Sequence, residues 1–204
     1  MKFLLILLIF ISSTAFAQSY KEQIEKHREE YKAVFIKETR SPLKKDDLKN
    51  LQFFEPDSTY RIKAKVQLLK KQKIFKMPTY DGSSKEFIRY AKVNFAINGQ
   101  PLELTLYRNI GLMVNPIYKN LLFLPFTDET NNVSTYGGGR YIDLDLSQIK
   151  NKKLEIDFNK AYNPYCAYSD GYRCPVPPEE NNLTLSINAG EKIFTASNKK
   201  TVNN

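Results

Sequence analysis

FIRYAKVNFAINGQPLELTL, residues 87–106, is the stretch from which the fold follows. Phe87 to Ile97 reads as one long strand, and Leu102, Leu104 and Leu106 repeat at the two-residue period of a second. Between them stands Asn98-Gly99, the dipeptide that most readily supplies the positive φ angles of a two-residue hairpin turn. An antiparallel pair is therefore expected here, and the neighbouring segments extend it. Upstream, Tyr60, Ile62, Ala64, Val66 and Leu68 alternate with Arg61, Lys63, Lys65 and Gln67, the pattern of a half-buried strand. Lys73 to Thr79 reads as another, turned by Asp81-Gly82. Downstream, strands are expected at Leu121–Phe126, Arg140–Leu146, Lys153–Phe158 and Leu183–Ile187. Short strands in succession without intervening helices predict a mainly β fold, an antiparallel β-sandwich or partly open barrel.

A helical flank precedes the strands. Tyr20, Ile24, His27, Tyr31, Val34 and Phe35 recur at helical spacing, with Lys, Glu and Arg on the other side, so an N-terminal amphipathic helix is expected. Ser19-Tyr20-Lys21-Glu22 reads as its capping box. Ser41-Pro42 reads as the start of a second, short helix to about Leu51.

In front of that helix lies an export leader. Lys2 is followed by the apolar run FLLILLIFI (3–11), then Ser12, Ser13 and Thr14, then Ala15-Phe16-Ala17. That order is a signal peptide with a small-x-small cleavage site, here placed after Ala17. The apolar run falls well short of the about 20 residues that span a bilayer as a helix. The expected organisation is a signal peptide (1–17), a single β-rich domain (18–196) and a polar, frayed tail (197–204). The chain is expected to be exported, periplasmic or secreted, with no membrane span after cleavage. Loss of Lys2 takes the formal charge from +9 to +8. The lysines are dispersed, and the densest group (Lys70, Lys71, Lys73, Lys76) flanks a strand, so a solvated basic face is expected and no nucleic-acid site.

Two stretches are not explained by strand building: the polar loop 127–139 (TDETNNVSTYGGG) and the long connection 159–182 (NKAYNPYCAYSDGYRCPVPPEENN), with both cysteines, four tyrosines and four prolines. Loops of that length in a compact domain are more often functional or cross-linked than idle. They also carry a resemblance. TYGGGRYIDLDL (135–146) and LEIDFNKAYNPYCAYSDGYRCPVPPEENNLTLSINAGEK (154–192), with LFLPFTDET (122–130) and FKMPTYDGSSKEFIRYAKVNFAINGQ (75–100), resemble the domain of unknown function 1684 family. Gly138 departs from it, standing where a small non-glycine residue is expected. The resemblance covers about residues 20–194. It implies one domain of that family and carries over no catalytic residue.

The side-chain inventory narrows the chemistry. One histidine, His27, stands on the apolar stripe of the helix and reads as a partly buried structural residue. Serine–histidine and cysteine–histidine catalysis both need an imidazole, which only that helix supplies. Two cysteines alone do not close a zinc site, so no metal and no cofactor is expected. In an exported chain Cys166 and Cys174 read most simply as a disulfide clamping the proline-rich loop. Asp143 and Asp145 alternate with Ile142 and Leu144 and read as a solvated face. The candidate ligand surface is a pocket between loops 127–139 and 160–182, lined by Tyr136, Arg140, Asp157, Asn159, Asn163 and Tyr168. If strands 140–146 and 153–158 are hairpin neighbours, Arg140 and Asp157–Asn159 emerge at one end of the sheet. The alternative is that Arg140 pairs with Asp157 and the tyrosines merely pack the loops together. The functional expectation is an exported soluble ligand-binding or accessory envelope domain, its partner a small molecule or envelope component. A histidine-independent hydrolase or lyase acting on an envelope or sugar component is the second reading, and a structural envelope interaction protein the third.

Overall fold

A computed structural model describes the backbone of residues 2–195 and the side chains of residues 19–195. The side chains of residues 1–18, where the signal peptide is expected, and residues 196–204, where the tail is expected, lie outside the described residues. Seven strands follow the N-terminal helix α1 (Lys2–Lys37): β1 (Arg61–Leu68), β2 (Phe75–Pro78), β3 (Ser84–Ile97), β4 (Gln100–Asn109), β5 (Leu121–Phe126), β6 (Arg140–Asp145) and β7 (Lys153–Asp157). A single-turn helix α2 (Ile110–Met113) joins β4 to β5. The strands form one antiparallel sheet in the order β6-β5-β4-β3-β1-β7, curled into a half-barrel. The Asn98-Gly99 hairpin forms as expected, with Asn98 at φ 51° and Gly99 at φ 80°. β3 is long enough to pair with β2 along its first half and β1 along its second.

The expected alternation builds the inner core. Ile62, Ala64, Val66, Val93, Leu104, Leu106, Leu122, Leu124, Ile142, Leu144, Leu154 and Ile156 all point into the curl. Burying each large aliphatic side chain there contributes about 1.5–3 kcal/mol. A β-bulge between Arg89 and Ala91 then reverses which face the first half of β3 presents. Phe87 consequently leaves the inner core and joins Met77, Tyr107, Phe123 and Tyr141 in a second apolar cluster on the outer face. A third cluster, around Phe35, Leu43, Leu51 and Tyr168, seats the end of α1.

Several expectations give way. Leu183–Ile187 is no strand: Leu183 N–H bonds to the Thr127 carbonyl and Ile187 N–H to Asp128 Oδ1, without a ladder. Its apolar residues instead close the mouth of the half-barrel, with Leu183, Ile187 and Ala189 buried. The Ser41-Pro42 helix start also fails. A 3-10 helix begins only at Lys45, and the Ser41 hydroxyl is turned back to Leu43. Ser19 lies inside the continuous helix α1, so its capping box has no free helix end to cap in the uncut chain. Finally, β6 and β7 occupy opposite ends of the strand order and are not hairpin neighbours.

The long connection 159–182 behaves as a strap. It crosses the gap between β4 and β5, which share only the Tyr107–Phe123 pairing. There the Asn181 amide replaces the missing ladder bonds, accepting from Thr105 N–H at 2.7 Å and donating to the Thr105 and Pro125 carbonyls at 2.9 and 2.6 Å.

Candidate functional site

The six residues singled out from sequence separate into three places. Arg140 begins β6 on its inward-facing side and is 0% exposed. Its Nη2 donates to Asp128 Oδ2 at 2.8 Å and to the Ile187 carbonyl at 2.9 Å, and its Nη1 to the carbonyls of Ala189 and Glu191. Alternate carbonyls of an extended segment face one side, so a single guanidinium fork staples residues 187–191 across the barrel mouth. Arg140 is therefore sealed in an ion pair, but with Asp128 and not with the expected Asp157, which is engaged by Tyr20 and Asn159 instead. Asp157 and Asn159 form another buried knot. Tyr20 Oη donates to Asp157 Oδ1 at 2.9 Å, and Asn159 Nδ2 donates to Tyr20 Oη and to the Asp57 carbonyl, both at 2.8 Å. That knot ties α1 to the end of β7. Asn163 N–H and Tyr168 Oη donate to the carboxyl of Glu191, at 2.9 and 2.6 Å. Only Tyr136 and Tyr168 share a depression, one of about 460 Å³ between Gly137-Gly138 and Phe194. The two flagged loops do meet, but the polar residues assigned to their junction are consumed by structure.

A larger cleft, of about 620 Å³, opens on the outer face, between α1, the edge strand β6 and the 160–175 part of the strap. α1 contributes His27, Glu30, Tyr31 and Val34, a stripe at helical spacing beside the buried Tyr20, Ile24 and Phe35, and Glu38 follows on the chain leaving the helix. The apolar stripe read from sequence is thus wider than the core needs, and its free edge, with Val34 41% exposed, faces the cleft. β6 contributes Tyr141 and Asp143 from the face opposite its core residues. The last wall is the ring closed by the Cys166–Cys174 disulfide, whose residues Tyr172, Arg173 and Cys174 line the cavity.

Five tyrosine rings line this cleft, and each hydroxyl is tied to the protein. Tyr31 bonds to Tyr168 at 2.8 Å and donates to Glu191 at 3.0 Å; Tyr162 donates to Asp143 Oδ2 at 2.9 Å. Tyr165 donates to Glu38 at 2.5 Å, Tyr172 to the Arg40 carbonyl at 2.7 Å, and Tyr141 to the Pro175 carbonyl. Anchored at both ends, the rings cannot fold into the void, so the cavity is preorganised.

The charged groups at the cleft are perturbed by its walls. Asp143 is open to the cavity yet enclosed by protein, and this desolvation raises its carboxyl above the ordinary range, partly opposed by the Tyr162 bond. Burial, then Lys160, lowers the half-buried His27 imidazole. Burial, then neighbouring Arg173, lowers the Lys85 ammonium. The cleft thus has a carboxyl whose pKa is raised and an imidazole whose pKa is lowered among its walls. Sequence reasoning set His27 and Asp143 aside; the signal that marks them is the surplus width of the helix stripe and the outer-face position of Asp143 between two tyrosine-bearing segments. Among the described residues no group of three or more His, Cys, Asp or Glu side chains is placed to hold a metal ion. Among them, too, no helix is long and apolar enough to cross a membrane.

Fold and cleft together define a small antiparallel half-barrel with a lateral, tyrosine-walled cavity. The chain belongs to the family described as protein of unknown function (DUF1684), whose model matches residues 46–192. The solution NMR structure of an uncharacterised protein from Haloarcula marismortui is similar, with 29% identity and a TM-score of 0.65. That similarity covers 87% of this chain and 96% of the archaeal one. None of the curated proteins matches the chain.

Proposed function

We propose that the chain is exported, cut after Ala17, and serves as a ligand-binding domain of the cell envelope, holding a small molecule in the cleft between α1, β6 and the disulfide-closed ring. The observation that carries this reading is the cavity of about 620 Å³ walled by five tyrosines with anchored hydroxyls. Its size falls in the range of small-molecule sites, and its lining combines aromatic surface with a few polar groups. The leader sequence and the disulfide support export, since such bonds persist in oxidising compartments.

The test is native mass spectrometry on the protein recovered from the periplasmic fraction, compared with a Val34→Trp variant. Val34 is a partly exposed wall residue, so the indole fills the cleft without entering the core. A bound small molecule on the native protein and none on the folded variant is expected. Equal occupancy of both, or a bare native protein that no envelope extract loads, refutes the reading. A hydrolase or lyase is favoured by one observation, the paired bias of Asp143 and His27 in one cleft. On that reading Asp143→Asn retains binding and loses turnover.

A further inference from the structure

The cleft does not end at Asp143. A second cavity of about 200 Å³ adjoins it and shares Lys85, Tyr141, Asp143, Tyr162 and Pro175 as walls. Beyond those residues the chemistry changes. The far walls are Phe87, Leu112, Leu121 and Phe123, with Asn109, whose side-chain oxygen is already engaged by Leu112 N–H at 3.1 Å. This compartment exists because the Arg89–Ala91 bulge turns Phe87 onto the outer face, next to Phe123. Its outer lip is the loop after α2, where Val114 and Ile117 are 84% and 81% exposed. A third depression, lined by Ile117, Tyr118, Leu121 and again Asp143, continues from that lip. Asp145 and Gln148 also line that depression, so the apolar surface is continuous only within the compartment of Phe87, Leu112, Leu121 and Phe123.

At that meeting point stands the ammonium of Lys85, whose acidic neighbour is Asp81. Lys85 is half-buried, and among the described residues it makes no ion pair, while Arg173 stands close enough to depress it further. Arg173 itself is held by the Ser83 hydroxyl at 2.9 Å, the Ser84 carbonyl at 3.1 Å and the carboxylate of Asp81 at 3.8 Å. Asp143 lines the same junction; burial raises its carboxyl, and its Oδ2 already accepts from Tyr162 Oη at 2.9 Å.

We propose that the ligand is a single-chain anionic amphiphile, its chain in the compartment of Phe87, Leu112, Leu121 and Phe123 and its head at Lys85, where the two cavities meet. This rests on the cleft being a ligand site and goes further by naming the ligand's class. An acyl carboxylate and an alkyl phosphate ester share the required chemistry.

The test is isothermal titration calorimetry of the mature, oxidised protein with octanoate, decanoate, dodecanoate and dodecyl phosphate below their micelle concentrations, and with dodecanol and dodecyltrimethylammonium as head-group controls. Each added methylene is expected to tighten binding about fourfold until the compartment is filled. Dodecyl phosphate binding more tightly than dodecanoate assigns the head as phosphate, the converse as carboxylate. Lys85→Met is expected to weaken the anions about tenfold and leave dodecanol unchanged, and Leu112→Trp to abolish the chain-length dependence. Affinity independent of chain length, or a cationic head bound as well as an anionic one, overturns the proposal. If chainless polar molecules load the native cleft and Val34→Trp blocks them, the cleft reading stands and the amphiphile falls. If no probe binds any form, and no envelope extract loads the native protein, both fall.

Discussion

Replacing Glu191 with glutamine should remove most of the protein's loss of stability between about pH 5 and pH 8. Glu191 is 0% exposed and joins three elements: its carboxyl accepts from Tyr31 on α1, and from Asn163 N–H and Tyr168 on the strap. Burial raises its pKa from 4.5 to about 7, with those three donors holding it from going higher. An acid whose folded pKa is raised binds its proton more tightly when folded. Its stabilising contribution is complete below the unfolded value and is lost as pH rises through the folded one. The rise from 4.5 to about 7 corresponds to about 3 kcal/mol at about 1.4 kcal/mol per pH unit. For a chain of this length that is roughly 6–12 °C in Tm. The glutamine keeps the network. Its carbonyl takes the place of Oε2 and accepts from Tyr31 and Asn163, while its amide donates to Tyr168, whose hydroxyl turns toward Tyr31, 2.8 Å away. Differential scanning calorimetry of both proteins at half-unit steps from pH 5 to 8 isolates the residue, because His27 and Asp143 titrate in both. The variant should match the native protein near pH 5 and exceed it at pH 8. Parallel curves, or a variant less stable by more than about 2 kcal/mol at pH 8, would refute the reasoning.

Reducing the Cys166–Cys174 bond, or replacing both residues with serine, should lower stability by about 2–3 kcal/mol, the loop-closure value for so short a ring. Urea titrations with and without reductant measure this, and coincident midpoints would contradict it. Arg140→Met should cost about 3–5 kcal/mol because it leaves Asp128 buried without its cation. Adding Asp128→Asn should restore part of that loss, and a single variant as stable as the native protein in urea would dismiss the staple. Expressed with its leader in a secreting host, the protein should begin at Gln18 by intact-mass analysis; recovery only of chains starting at Met1 would remove the export reading.

The legibility of this fold follows from what alternation can and cannot encode. Residues 60–68 and 87–106 were readable because a period of two and an Asn-Gly turn specify both strand and partner. Leu183–Ile187 has a similar pattern and is no strand, because alternation records a buried face and not the presence of a free sheet edge. Here the backbone of that segment is satisfied by Arg140, Asp128 and Thr127 instead. The bulge left a trace in the adjacent apolar residues Tyr90-Ala91, but a single doubled position does not say which face gains Phe87. The site was legible to the level of its loop. Length, composition and the cysteines pointed to 159–182, which does form a wall of the cleft. The residues within it were chosen by chemical type, and type does not report burial. Arg140 reads from sequence as lining a ligand pocket and is a staple; Lys85 is not singled out by sequence at all and stands at the junction of two cavities.

An unfilled aromatic cleft invites collapse, since closing it would bury apolar surface, so something must hold its walls apart. The tyrosine hydroxyls supply that restraint, and their partners are distributed so that no single element can close alone. Tyr31 on α1 is fixed to Glu191; Tyr165 on the strap is fixed to Glu38 on the chain leaving α1; Tyr172, inside the disulfide ring, is fixed to Arg40. Moving the helix inward breaks the bonds at Glu191 and Glu38, and moving the ring inward breaks those at Arg40 and Pro175. Each buried hydroxyl left unpaired costs about 1–3 kcal/mol, which sets a collective penalty on collapse. The disulfide belongs to the same argument. Cys174 carries the wall that includes Arg173 and Pro175, so reduction frees the segment whose position the Tyr141 and Tyr172 bonds depend on. A cleft built in this way is complete only once its cysteines are oxidised, which ties its shape to the compartment that the leader sequence points to.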